Sequence, residues 1–492
     1  MAEQLPILQI VVPLVAAPFC LLLRRGAMAL GFAVAVCTAA FGISVALLVR
    51  VLRAGVISYE LGGWAAPWGI EYRIDALGAF MLFLVSGVGA VVLSFAPRSV
   101  ACEIPRERHY LFCVAFLLCL TGLMGIVITG DLFNLFVFLE ISSLSSYALI
   151  ALGTNRRALT AAFQYLILGT IGATFILIGI GLLYAMTGTL NMVDMADRLA
   201  AGTGLRTLLV AFAFFSVGVC LKMALFPLHL WLPNAYTYAP SAVTAFLAAT
   251  ATKVSVYILL RFVFTVYGAE FAFETMPLDR ILMPLALVGI FVASTVAIFQ
   301  RDVKRMLAYS SVAQVGYMVL GISFATVTGL TAGIVHIFNH ALMKGGLFLA
   351  MGCIALRIGS ANIDDLRGIG RTMPLTTFAW AVGGLGLIGV PVTVGFVSKW
   401  YLISAAWEKG WWPVALLVLL SSLLALVYVW RVVETAYFDD PPSEHEKVRE
   451  APMAMLLPTW LLIGASVYFG LWTSLTTDAA RHAAEALLGV SS

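Results

Sequence analysis

The sequence predicts an all-α polytopic membrane protein of about fourteen transmembrane helices, with two inverted five-helix repeats that each contain a broken helix. Three observations lead there. Hydrophobic residues make up 62% of the chain and charged residues 11%, whereas a soluble domain is about 25% charged. Apolar stretches of 18 residues or more recur from Leu5 to Trp472, and each is long enough to cross a ~30 Å hydrocarbon core. Two of the stretches are interrupted in matching places, five spans apart, which is the signature of a repeat with ion sites near the midplane.

The spans run in order over 5–23, 27–50, 75–96, 110–129, 131–153, 159–187, 207–236, 241–267, 279–300, 303–323, 327–356, 374–406, 413–436 and 452–472. The first follows one acidic residue rather than a basic segment, so it reads as a span and not as a removable signal. Asp75 and Asp131 stand where N-caps of the third and fifth spans belong. Segment 207–236 is broken by Pro227, which removes a helical N–H and frees the Met223 carbonyl. Segment 374–406 is broken by Gly383, Gly384, Gly386, Gly389 and Pro391. Broken helices at membrane depth occur only inside protein or beside water. The expected organisation is 1–109 for spans one to three, 110–267 for the first repeat (spans four to eight), 279–436 for the second (spans nine to thirteen), and 437–492 for a loop, the last span and a short tail.

An even span count puts both termini on one side. Loops after odd-numbered spans hold 16 Lys and Arg, against 9 in the other loops and the tails. The excess places the odd loops in the cytoplasm and both termini outside a plasma membrane. The net charge of +4 is small and set by loops, which argues against nucleic acid as a partner. The seven cysteines form no CxxC pair and no nucleotide-binding glycine motif occurs. No cofactor and no metal is therefore expected, and the chain carries no means of redox chemistry or ATP use by itself.

Four lysines break the pattern. Of 29 Lys and Arg, only Lys222, Lys253, Lys344 and Lys399 fall inside apolar runs. Each would cost about 2.5–3.5 kcal/mol at a helix centre if nothing compensated it. None is Arg, and lysine can release its proton when desolvated where arginine cannot. Glu140 lies nine residues past Asp131, about 13 Å into its span at 1.5 Å per residue, and no other carboxylate lies as deep. Lys222 is its natural partner, and such a pair titrates as a unit. A static ion pair orienting two helices is the alternative. Lys253 sits among Thr250, Thr252 and Ser255, hydroxyls able to hydrate an amine. His336, His340 and Lys344 are spaced i, i+4, i+8, on one helix face, and read as a relay from Lys253 to Lys399. Satisfied core histidines or metal ligands are the other readings of that row, and no carboxylate or cysteine in the span completes a metal site. His229, just past Pro227, stays open. Glu434 belongs to a solvated boundary.

The stretch GDLFNLFVFLEISSLSSYALIAL (130–152) resembles the Glu-bearing span of the D-type subunit of Mrp-type multisubunit Na⁺/H⁺ antiporters. LKMALFPLHLWLPNAYTYAPSAVTAFLAATATKVSVY (221–257) resembles the two-lysine segment of that family, shared with antiporter-like subunits of respiratory complex I and membrane-bound hydrogenases. RDVKRMLAYSSVAQVGYM (301–318) and HIFNHALMKGGLFL (336–349) are similar to its second half. The resemblance covers roughly 70–475. It implies a fourteen-helix fold with inverted repeats, an ion pair of Glu140 and Lys222, Lys253 as bridging lysine, His336 as connector and Lys399 as terminal lysine, with His340 and Lys344 in support. It further implies a proton-translocating subunit of a heteromeric Na⁺/H⁺ antiporter. Its partners would be the other subunits of that complex, the lipid bilayer, protons and a monovalent cation, Na⁺. A complex I-type or hydrogenase-linked proton pump is the alternative host. A stand-alone solute symporter and an inert scaffold are rivals of another class.

Overall fold

A computed structural model describes residues 2–202, 204–443 and 447–490. Among them, thirteen helices are long and apolar enough to cross a membrane. The remaining segment expected from the sequence, 374–406, consists of two fifteen-residue helices, Pro374–Ile388 and Val394–Glu408. Each rises only about 22 Å, too short to cross alone. The seventh segment is also interrupted. Leu205–Met223 ends at Ala224, whose φ of +58° turns the chain, and helix resumes at Trp231–Tyr238. The Leu221 carbonyl exposed by this break accepts from Trp231 Nε1 at 2.9 Å. In the twelfth segment the break is made by Gly389, φ +87°, which only glycine adopts without strain. A Cβ there would also meet Lys399 Cδ at 2.9 Å.

Elements outside the spans were not anticipated from the sequence. An antiparallel hairpin pairs Ile57–Glu60 with Glu71–Ile74 in the register Ile57 to Ile74. Helix Met192–Ala200 follows the sixth span, and Ser474–Leu488 follows the fourteenth.

Two loop pairs share one geometry. The Leu132 N–H donates to the Leu190 carbonyl at 2.9 Å and the Met192 N–H to the Gly130 carbonyl at 2.8 Å. The Val303 N–H donates to Ala361 at 2.8 Å and the Ile363 N–H to Arg301 at 2.8 Å. The bridged residues, Asp131 with Asn191 and Asp302 with Asn362, lie 171 positions apart. Asp131 and Asp302 each cap the following helix. The 32-residue helices Arg156–Thr187 and Val327–Ile358 keep the same offset, and each ends at a left-handed glycine, Gly188 or Gly359.

Burial ranks the helices. The apolar windows of the eighth and tenth spans are 94% buried, those of the fourth and eleventh 83% and 78%, and those of the first, second and sixth 33–39%. The middle of the molecule is therefore built from spans four, eight, ten and eleven. Around it, small residues let backbones approach. A Cβ on Gly218 would meet the Gly172 carbonyl at 2.6 Å. That contact presses the seventh span onto the sixth one turn before Lys222.

One intramembrane cation escaped the sequence reading. Arg261 continues the eighth span and is 8% exposed. Its guanidinium makes a two-pronged pair with Asp75, Nη1 to Oδ2 at 2.6 Å with Nη2 on Oδ1, while Nε donates to the Tyr257 hydroxyl at 2.8 Å. The Asp75 carboxylate meanwhile accepts from the Gly78 N–H, as the N-cap reading requires. Removing one partner of a buried pair costs about 3–5 kcal/mol. Asp75→Asn is expected to lower the melting temperature of the detergent-solubilised protein. An unchanged melting temperature would show the pair to be dispensable.

Candidate functional site

Each buried amine is held by oxygen atoms. Lys222, in the last turn of its half-helix, donates to Ser143 Oγ at 2.8 Å, and its Nζ lies 3.7 Å from Glu140 Oε1. The two carry opposite charges on different spans, but the separation makes this a loose ion pair rather than a hydrogen bond. Glu140 Oε1 itself has no hydrogen-bond partner. Ser143 follows Glu140 by one turn, so one face of the fifth span supplies both groups. A cavity of about 20 Å³ lies beside the amine, lined by Ser142, Ser143, Ser146, Lys222, Tyr165 and Ser255 among others. That is room for one water, between Lys222 and the helix that carries Lys253.

Lys253 is fully buried and donates to the Ala248 carbonyl and to Thr252 Oγ1, the latter at 3.3 Å. Of the three hydroxyls singled out in the sequence, only Thr252 bonds the amine. Thr250 donates to Phe246 and Ser255 to Ala251, within their own helix.

His336 and His340 stack with parallel rings, 5.9 Å between centroids. His336 Nδ1 shares a 2.8 Å hydrogen bond with Ser398 Oγ, the neighbour of Lys399. His336 Nε2 and both nitrogens of His340 lack a protein partner, and such buried atoms are where water inserts. His340 lies within electrostatic range of Lys253, Lys344 and His336, and His336 within range of Lys253 and Lys399. Lys344 is tied to the tenth span, bonded to the Leu307 carbonyl at 2.7 Å and to Ser310 Oγ. It thus flanks the row rather than bridging the two histidines to Lys399.

Lys399 closes the series. Its amine donates to the carbonyls of Leu387 (3.2 Å) and Ile388 (2.8 Å) and to Ser422 Oγ (2.8 Å), and lies 5.1 Å from the centre of the Tyr317 ring. The two carbonyls end the first half of the broken span, where a helix presents partial negative charge. The break thus builds a cation site. Lys222 stands on the other side of its own break, in the last turn of the helix that precedes it, and is bonded to Ser143 rather than to carbonyls freed by the break. The structure therefore brings together Glu140 with Lys222, and Lys253, His340, His336 and Lys399 in sequence. His229 stands apart, with Nδ1 unpartnered and its ring near Phe226 and Tyr309. Sequence reading missed Ser143, Ser398, Ser422 and Tyr317. Only Ser143 had a local signal, the serine cluster ISSLSS directly after Glu140.

The chain as a whole has counterparts among known proteins. The family described as NADH:quinone oxidoreductase/Mrp antiporter, TM, matches residues 129–426, more than half of the chain. The chain belongs to this family. It is 43% identical over 487 residues to the N-type subunit of an NADH-quinone oxidoreductase of Desulforudis audaxviator, covering 96% of both chains. It is 32% identical to the D-type subunit of a Na(+)/H(+) antiporter of Alkalihalophilus pseudofirmus, covering 87% of this chain and 85% of that one. Among solved structures, a chain of the Mrp complex from Dietzia sp. superposes with a TM-score of 0.90 at 25% identity, over 99% of this chain and 97% of that chain. The fourteen-segment architecture is therefore that of the antiporter-like family, and the chain is a multi-pass membrane protein.

Proposed function

We propose that this chain is the proton-translocating, antiporter-like subunit of a redox-driven membrane complex of the complex I type. The observation that carries the reading is the row Glu140, Lys222, Lys253, His340, His336 and Lys399, threaded through or beside the most buried helices and ending at two helix breaks. Protons move along it by changes of lysine and histidine protonation, with water and hydroxyls between the groups. The opening and closing of the Glu140–Lys222 pair sets the field on Lys253, and through the histidines on Lys399. One elementary charge crossing 100 mV is worth about 2.3 kcal/mol, so a single displaced charge is enough to couple the steps.

Spans four to eight and nine to thirteen are inferred to be two inverted repeats. The loop pairs 171 residues apart and the odd number of crossings between them support this. Loop charge supports cytoplasmic odd-numbered loops and outward termini in a plasma membrane. The redox chemistry belongs to partner subunits, because this chain's residues hold and release protons and form no covalent intermediate.

The host is where the relatives revise the sequence reading, which put a Na⁺/H⁺ antiporter first. Identity is 43% to the oxidoreductase subunit and 32% to the antiporter subunit. The second reading keeps the same proton path in an antiporter, and the 0.90 superposition on a chain of the Mrp complex supports it. Everted vesicles containing the native complex separate the two. Acidification driven by an electron donor and independent of Na⁺ is expected. Collapse of a preformed pH gradient on adding Na⁺, with no donor effect, would favour the antiporter. Transport by this chain alone in liposomes would contradict both.

A further inference from the structure

A cavity of about 540 Å³ lies at the end of the molecule opposite the Asp75–Arg261 pair, lined by Glu103, Thr154, Tyr238, Asp302, Lys304 and Ser360 among others. Residues at or near the loops after the third, fifth, seventh, ninth and eleventh spans meet there. Under it runs a continuous polar chain. Lys304 donates to Ser241 Oγ at 2.9 Å, and Ser241 Oγ donates to Glu103 Oε2 at 3.2 Å. Glu103 also accepts from the Ser241 N–H at 2.7 Å and from Ser99 Oγ at 2.7 Å. Lys304 opens the tenth span yet is only 7% exposed, and Ser241 is fully buried.

We propose that this cavity is the cytoplasmic loading mouth of the buried proton row, with Glu103 as the loading carboxylate and Ser241 and Lys304 as its link inward. The inference rests on the proton-path reading above. Lys304 lies three residues, about 4.5 Å of helix rise, from Leu307, whose carbonyl holds the Lys344 amine. Lys344 in turn lies in range of His340. The tenth span thus sets Lys304 one turn from the carbonyl that holds Lys344, and in the proposed path water carries the proton between the two amines. The lysine is not part of the repeated scaffold: 171 positions earlier stands Phe133. For one proton, Glu103 takes it up from water as a carboxylic acid. Once Lys304 has passed one ammonium proton inward to water, the Glu103 O–H breaks as Ser241 Oγ accepts its proton, while the serine's own proton forms a new N–H bond on the Lys304 amine. Carboxylate and hydroxyl are regenerated and an ammonium results. Arg157 and Asp302 are the other charged groups lining the cavity. Burial raises the Asp302 carboxyl above its usual range, against hydrogen bonds from backbone N–H groups that lower it.

A structural role for Glu103 is to cap the eighth span from outside. Glu103→Gln keeps one acceptor oxygen for the Ser241 N–H and removes the group that can take up and release a proton, along with its negative charge. In everted vesicles holding the intact complex, driven by its donor or by a Na⁺ gradient, this variant is expected to slow proton translocation on the order of 10²-fold. Sodium azide, a small weak acid, is expected to restore much of the rate. A wild-type rate in Glu103→Gln overturns the proposal. So does a slowed rate that azide does not restore, since a cap or packing defect cannot be bypassed by a soluble acid. Lys399→Arg is run beside it. If that variant translocates normally the proton-path reading fails, whereas a normal Glu103→Gln with an inactive Lys399→Arg removes the loading mouth alone.

Discussion

Lys399→Arg is expected to arrest proton translocation while the complex still assembles. The amine of Lys399 sits against the carbonyls of Leu387 and Ile388 and against Ser422 Oγ. Those oxygens, at the end of a half-helix, favour any cation. Arginine supplies the charge and more donors, so the acceptors stay satisfied. It cannot give up its proton in a protein. If Lys399 works as a fixed charge, arginine preserves function. If it works by losing and regaining a proton, arginine abolishes it, with an expected loss on the order of 10²-fold or more. Lys399→Met is a harsher change, since unpaired buried acceptors cost about 1–3 kcal/mol, and it is expected to reduce assembly too. Acidification of everted vesicles, normalised to assembled complex on native gels, reads both effects. Wild-type flux in Lys399→Arg would mean that Lys399 never gives up its proton, and the proton-path reading would fail.

The elements that fix Lys399 were open to sequence reading because they are local. Gly389 and Pro391 announce the break, and Pro227 announces its counterpart. The i, i+4 spacing of His336 and His340 gives their stacking directly. What could not be read depends on pairing between distant segments. Ser398 meets His336 across 62 residues and Ser422 meets Lys399 across 23. Arg261 looked like the end of an apolar run, and only its contact with Asp75, 186 residues earlier, shows a buried ion pair. Lys304 looked like a loop cation for the same reason, with Ser241 63 residues away. A lone charge deep inside a hydrophobic run is visible in sequence. A charge near the end of a run is not, because exposure there depends on which loop covers it. The serine cluster after Glu140 was legible as composition, while its role as Lys222 partner needed the seventh span in place.

Glu140→Gln is the second large effect expected. It removes the counter-charge of Lys222 and leaves the amine bonded to Ser143 Oγ. Removing one member of a fully buried pair costs about 3–5 kcal/mol. The Glu140 side chain is 27% exposed, so the stability loss is expected at or below the low end of that range, and the complex is expected to assemble. Flux is expected to fall nearly to background. The double variant Glu140→Gln with Lys222→Met is expected to lose no more than either single change, since two groups acting as one switch are not additive. Independent, multiplicative losses in the double variant would mean the two residues do separate jobs.

The central claim is that amines buried in the membrane change charge during turnover. Infrared difference spectroscopy of the complex with ¹⁵Nζ-labelled lysine, resting against turning over, tests it most directly. A reversible ammonium-to-amine signal that disappears in Lys399→Arg is expected. Lysine bands that stay unchanged through the whole cycle, while protons are being translocated, would contradict it.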